Sequence, residues 1–219
     1  KDCLPTVFGY LSIGFAAGVI GRTAGLSVAE VVLMSVLVYA GSAQFIMSGM
    51  LAAGSSLFSI TLTVLFVNLR HLLMSAALSP YFRHLPAWKN IILGAQLTDE
   101  TFAVASAKLG GKDKGSGSWM FGLNMTAQIN WLLATVAGAI FGQWIADPHA
   151  LGLDFALPAM FIGLLVMQFM ERRRWRKDLE VALCAALLAV AGSVLGSGNA
   201  GLIIAVIIAA TFGAWREWK

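Results

Sequence analysis

Eight apolar runs, at about residues 5–21, 28–53, 57–79, 91–108, 118–146, 156–170, 179–196 and 200–215, take up most of this 219-residue chain. A helix rises ~1.5 Å per residue and the hydrocarbon core of a bilayer is about 30 Å thick, so ~20 apolar residues suffice to cross it. Runs of this size, joined by short loops, leave room for about seven or eight spans and little else. The composition agrees, with 58% apolar residues before Gly is counted and 12% charged, where soluble domains carry about 25% charged. A soluble domain, a disordered chain and a collagen-like chain are excluded. The expected fold is an all-α, polytopic membrane bundle of seven or eight transmembrane segments, forming one domain over residues 1–219.

The loops carry turn or charge signals, and Trp88, Trp119, Trp144, Trp175, Trp215 and Trp218 lie at or near run ends, where interfacial aromatic belts place them. The net charge of +4 fits basic cytoplasmic loops better than a nucleic-acid partner, and no nucleic acid is expected. Arg172, Arg173, Arg174, Arg176 and Lys177 form the most basic loop. It should be cytoplasmic, which puts Lys108, Lys112, Lys114 and the C-terminus with Arg216 and Lys219 on the same side. Run 91–108 decides the count: eight spans if it crosses, seven if it only dips into the bilayer. Loop charge favours seven. Internal similarity favours eight, because Leu4-Pro5-Thr6-Val7-Phe8 resembles Leu157-Pro158-Ala159-Met160-Phe161, and Val38 to Ser42 resembles Val190 to Ser193 at nearly the same offset. Copies five helices apart would be inverted repeats, a plan that often includes broken helices.

Cys3 and Cys184 make no metal-ligand pattern and read as packing residues, so neither a disulfide nor a metal site is expected. With Lys1 rather than Met at its head, the chain is expected to lack a short N-terminal segment. No zinc-type His-Glu pair and no phosphate-cradling Gly-rich loop with a Lys occurs, so neither an enzyme nor a cofactor is expected.

Four constellations interrupt the apolar runs. Tyr39-Ala40-Gly41-Ser42-Ala43-Gln44-Phe45 lies inside run 28–53. Gly costs ~1 kcal/mol in a helix interior, so this stretch permits either a helix break, exposing backbone N–H and C=O groups, or close helix packing. Asn68-Leu69-Arg70-His71 falls near the centre of run 57–79. An Arg there costs roughly 2.5–3.5 kcal/mol on insertion scales, so it should face an interior and act there, or pair with Asp99 or Glu100. His71 is the natural titrating group, its ordinary pKa lying near 6.5. In Thr98-Asp99-Glu100-Thr101, adjacent carboxylates point ~100° apart on a helix. Asp99 is expected to face a site, with Glu100 towards water or Arg70. Finally Asn124, Gln128, Asn130 and Thr135 form a polar row on run 118–146, read as hydrogen-bonding glue between helices or as a pathway lining. Gly14 and Gly18, and Ala134, Gly138 and Gly142, offer close-packing faces that a partner subunit could use.

Leu4-Pro5 ahead of a Gly-rich first span, then Tyr39 to Phe45, Arg70-His71 and Thr98-Asp99-Glu100-x-Phe102-Ala103, in this order, resemble the AzlC family over essentially the whole chain. The similarity is to the large subunit of bacterial branched-chain amino acid exporters. The resemblance implies a multi-pass protein of the bacterial inner membrane that exports Leu, Ile, Val and sometimes Met, with a small AzlD-type membrane subunit as partner. Many relatives carry an acidic residue two positions before the Arg-His pair, where this chain has Asn68, one fixed negative charge fewer.

On this basis a zwitterionic amino acid is expected to bind where the break at Gly41–Gln44 meets Arg70 and Asp99. Arg70 and exposed N–H groups would hold its carboxylate, and Asp99 with an open carbonyl its ammonium. Tyr39, Gly41, Ser42, Gln44, Asn68, Arg70 and Asp99 are the expected substrate-binding residues, with apolar walls including Phe45 and Met74. His71, Asp99 and Glu100 are the expected proton-coupling residues of a secondary exporter. A channel and a non-transporting membrane subunit remain the alternatives.

Overall fold

The computed structural model describes residues 2–218 apart from 112, 146–149, 156–157, 160–161, 164, 167–168, 170–174 and 195–197. Among the described residues every regular element is helical. They form two compact units, residues 1–162 and 163–219.

In the first unit, α1 (Leu4–Thr23) starts with Pro in its first turn and ends just before Gly25, whose φ of +93° only glycine adopts freely. Ser27 and Glu30 form a reciprocal capping box that opens α2 (Val28–Leu37). Run 28–53 is indeed broken: α2 stops at Leu37, residues 38–40 are non-helical, and α3 spans Gly41–Ala52. Run 57–79 becomes α4 (Leu57–Asn68), N-capped by Ser56, and α5 (Arg70–Phe82), jointed at Leu69. There the Leu69 N–H still donates to Leu65 at 3.1 Å, while the Leu72 N–H bonds back only to Leu69 at 3.1 Å. That tightening to a three-residue step places Arg70 at a helix start.

Run 91–108 is neither one span nor one surface helix. It holds most of α6 (Ala87–Ala95), a break at residues 96–98 and most of α7 (Asp99–Leu109). The physical reason is a capping box: the Thr98 side chain accepts from the Thr101 N–H, the Thr101 side chain accepts from the Thr98 N–H, and Asp99 and Glu100 fill the positive first turn of α7. The long α8 (Gly117–Phe141), extended by a tight turn to Trp144, follows. Leu57–Phe82 and Gly117–Trp144 are long and apolar enough to cross a bilayer by length and composition. Among the described residues, two of the expected runs are split into halves of 9 to 12 residues, as broken helices would be.

α1 and α8 pack through small residues. A Cβ added at Gly18 would stand 2.1 Å from the Thr135 carbonyl oxygen, and one at Gly138 would stand 2.0 Å from that of Phe15. Gly14 meets Ala134 and Gly142 meets Val19 in the same seam. The small faces that the sequence offered to a partner are therefore used within the chain, against each other. One core cluster gathers Tyr10, Ala16, Ala17, Phe45, Ala127 and Trp131, and another joins Met74, Leu78, Phe82, Leu93, Leu97, Ala105, Leu109, Met120 and Leu123.

The second unit pairs α9 (Trp175–Val194) with α10 (Gly198–Trp218). Lys177 donates to the Arg216 carbonyl at 2.8 Å and Arg216 pairs with Glu180. Much of run 156–170, and Arg172, Arg173 and Arg174 of the basic loop, lie outside the described residues, as do Leu157, Met160 and Phe161 of the expected repeat.

Candidate functional site

Both helix breaks of the first unit open onto one narrow cavity. Its wall is made by Tyr10 of α1, Tyr39 and Ala40 of the first break, and Gly41 and Ser42 at the start of α3. Arg70 and His71 of α5, Thr98, Asp99 and Glu100 at the second break, and Trp131 of α8 complete it. The open volume is about 10 Å³, at the lower edge of what a single water needs. No amino acid fits without widening.

Arg70 is the hub. Its Nη1 pairs with Asp99 Oδ2 at 2.7 Å and its Nη2 donates to Ser42 Oγ at 2.5 Å. Ser42 and Asp99 sit in the first turns of α3 and α7, so one guanidinium is held by side chains from the starts of both second half-helices. Helix N-termini favour negative charge, and that is where Asp99 is fixed and where an incoming carboxylate would be welcome. The Glu100 carboxylate accepts from Tyr10 Oη at 2.7 Å. Glu100, expected to face water or Arg70, has the Tyr10 hydroxyl as its hydrogen-bond partner. His71 Nδ1 lies 3.1 Å from the Asn68 carbonyl oxygen, so that nitrogen carries the proton of the contact.

The polar row of α8 supplies the glue. Asn124 donates to the Leu93 carbonyl at 3.0 Å near the end of α6, Gln128 accepts from Gln96 at 2.8 Å at the second break, and Asn130 donates to Val7 of α1 at 2.9 Å. Thr135 accepts from Ser35 of α2 at 3.0 Å. A broken helix leaves carbonyls without intrahelical partners: Asn124 of α8 reaches that of Leu93, and Gln44 of α3 that of Val38 at 2.7 Å.

A family model, described as AzlC protein, matches residues 5–145, which include every residue lining the cavity from Tyr10 to Trp131. The chain belongs to the AzlC family. Among AzlC-like relatives, the inner membrane protein YgaZ of Escherichia coli is 34% identical over 94% of this chain and 84% of its own length. The branched-chain amino acid transport protein AzlC of Bacillus subtilis is 26% identical over 93% of this chain and 78% of its own. An uncharacterized membrane protein of Archaeoglobus fulgidus is 28% identical over 96% and 90%. No solved structure matches this AzlC-family chain.

Of the expected site residues in this AzlC-family protein, Tyr39, Gly41, Ser42, Arg70, His71, Asp99 and Glu100 come together around the cavity. Gln44 and Asn68 are not on its wall. Gln44 instead braces the break, donating from Nε2 to the Val38 carbonyl at 2.7 Å and accepting from Trp131 Nε1 at 3.3 Å, and Asn68 contributes its backbone carbonyl to His71. Phe45 and Met74 belong to the two core clusters and do not line the cavity either. The walls are Tyr10, Tyr39 and Trp131, of which sequence reasoning missed the first and last. Trp131 had a signal: of the seven Trp it is the one in the middle of an apolar run, away from any span end. Tyr10 carries a weaker one, a hydroxyl inside the first run.

Proposed function

We propose that this protein is a secondary exporter of branched-chain amino acids, Val, Leu, Ile and also Met, coupled to protons and acting with a small AzlD-type membrane subunit. The observation that carries the reading is the Arg70–Asp99 ion pair in a narrow cavity between two helix breaks. An ion pair is an internal stand-in for a zwitterion. When the cavity widens, the substrate carboxylate replaces Asp99 on Arg70 and the substrate ammonium replaces Arg70 on Asp99, so neither half-buried charge is left bare. Ser42 Oγ and the first N–H groups of α3 add to the carboxylate side. Tyr10, Tyr39 and Trp131 give apolar faces to the branched side chain. Such walls separate Val from Ile by only ~1–3 kcal/mol per methylene, so overlapping substrates are expected. The titratable groups on the cavity, His71, Asp99 and Glu100, are the candidates for coupling. The name of the Bacillus subtilis relative and its coverage support the substrate class.

The test is efflux of preloaded valine or methionine from cells expressing the protein with its AzlD-type neighbour, compared with Arg70→Ala at matched expression. Loss of efflux is expected, and unchanged efflux would remove Arg70 from the site.

A further inference from the structure

The two neighbouring carboxylates at the start of α7 have opposite surroundings. Asp99 is held by the guanidinium of Arg70 at 2.7 Å, whereas Glu100 is held by the phenolic hydroxyl of Tyr10 at 2.7 Å. Beyond Tyr10 the contacts continue through hydroxyls: Tyr10 Oη to Thr98 Oγ1 at 2.6 Å, and Thr98 Oγ1 to Thr101 Oγ1 at 3.2 Å. A second acceptor, the Thr98 carbonyl, lies 3.3 Å from Thr101 Oγ1.

Counting protons along this row gives two consistent arrangements. With Glu100 ionised, Tyr10 donates to Glu100 and Thr98 donates to Tyr10. With Glu100 protonated, its O–H donates to Tyr10, Tyr10 donates to Thr98, Thr98 donates to Thr101, and Thr101 donates to the Thr98 carbonyl. Each hydroxyl has one proton to give and lone pairs to receive, and in neither arrangement is a hydroxyl left without an acceptor. Reversal needs only rotation of hydroxyl hydrogens, not displacement of heavy atoms. The row also ends on the capping box that fixes the second break, because Thr98 Oγ1 accepts from the Thr101 N–H. Asp99 has no such freedom, since protonating it would discard a charge-assisted pair. His71 has its Nδ1–H on the Asn68 carbonyl, so a second proton there would go to Nε2, outside the hydroxyl row.

The charged and titratable groups facing this place are Tyr10 of α1, Tyr39 of the first break, Arg70 and His71 of α5, and Asp99 of α7, with α8 contributing the Trp131 indole. Arg70 contributes +1 and Asp99 and Glu100 −1 each, so with His71 neutral the cavity groups carry a net charge of −1 until Glu100 takes a proton.

We infer that Glu100 is the group that carries the coupled proton, with Tyr10 and Thr98 as positioning residues that hold it equally well in either state. The assignment rests on the transport reading above. A proton from one aqueous side binds the Glu100 carboxylate without any change in the Arg70–Asp99 pair that receives the zwitterion, and it leaves to the other side as an intact proton.

Two measurements test this on the full-length purified protein with its small subunit. The first compares pH-gradient-driven valine flux with valine–valine exchange in proteoliposomes. Glu100→Gln should lower the ratio of driven flux to exchange at least tenfold relative to wild type, and an unchanged ratio overturns the assignment. The second is pH-difference infrared spectroscopy without substrate. Acidification of the wild type should raise a protonated-carboxyl carbonyl band that Glu100→Gln abolishes and Tyr10→Phe shifts. If that band survives in Glu100→Gln, or never forms in the wild type, the assignment is overturned, even if a variant is inactive in both flux assays. A wild type that moves no valine yet shows the Glu100 band would sink the transport reading while upholding the protonation site.

Discussion

Arg70 and Asp99 meet through a 2.7 Å ion pair that ties the start of α5 to the first turn of α7. Both side chains keep some exposure, 25% and 21%, so the pair is weaker than a fully buried one but still costly to leave half made. Arg70→Gln and Asp99→Asn should each destabilise the detergent-solubilised protein. The double variant should be more stable than the sum of the single losses implies, with a coupling of about 1–3 kcal/mol. Thermal melts of the four proteins check this, and strict additivity would show that the two side chains do not interact.

Gly18 and Gly138 predict the largest losses outside the cavity. A methyl group at either would meet backbone oxygen at 2.1 or 2.0 Å, contacts that no rotamer relieves. Overpacking typically costs about 1–3 kcal/mol, and a rigid backbone neighbour places these two at or above that range. Gly122 lies in α8 with nothing within 4 Å of its would-be Cβ, so Gly122→Ala should be neutral or stabilising by up to ~1 kcal/mol through helix propensity. Melting temperatures of Gly18→Ala, Gly138→Ala and Gly122→Ala separate the two environments.

Helix content and the place of the cavity were legible in the sequence for the same reason: polar groups inside bilayer-length apolar runs must converge on something. Arg70, Ser42 and Asp99 converge as the pattern implies. The break at 38–40 could be read from Ala40-Gly41-Ser42, whereas the break at 96–98 was hidden by treating 91–108 as one hydropathy segment. Its signal was present, since Thr98 followed by two acids and Thr101 is a helix-start pattern. Gln44 was misplaced because a polar residue at a break can serve a ligand or the broken backbone, and only coordinates reveal that it reaches Val38. The glycine faces could serve another chain or this one, because a close-packing stripe does not name its partner. Here Gly18 and Gly138 sit in one α1–α8 seam.

Gln44 carries a prediction of its own. Replacing it by Leu leaves the Trp131 indole N–H without the partner it has at 3.3 Å, and the Val38 carbonyl with the Ala40 N–H at 2.8 Å as its remaining donor. A buried polar group deprived of its bond costs about 1–3 kcal/mol. Gln44→Leu should therefore lower stability by about that amount and speed amide exchange around residues 38–44. Hydrogen exchange read by mass spectrometry follows it, and unchanged protection there would mean that Gln44 does not brace the break.

Asp2 gives a pH-dependent contact outside the spans. Its carboxylate accepts from Lys108 and, at 2.9 Å, from Trp119 Nε1, joining the residue ahead of α1 to the end of α7 and the start of α8. The Lys108 contact first, and then the Trp119 N–H, hold the carboxyl below its ordinary value of 3.8. A folded-state pKa below the unfolded one adds stability that is fully present above the unfolded value and is lost as pH falls through the folded one. The contact is therefore intact at neutral pH and loosens only in acid. The indole N–H resonance of Trp119, followed in ¹⁵N-labelled protein, should titrate with a midpoint below 3.8. Lys108→Met should raise that midpoint towards the ordinary value, and Asp2→Asn should flatten the curve. A midpoint that does not move in Lys108→Met would show that the ammonium group does not set it.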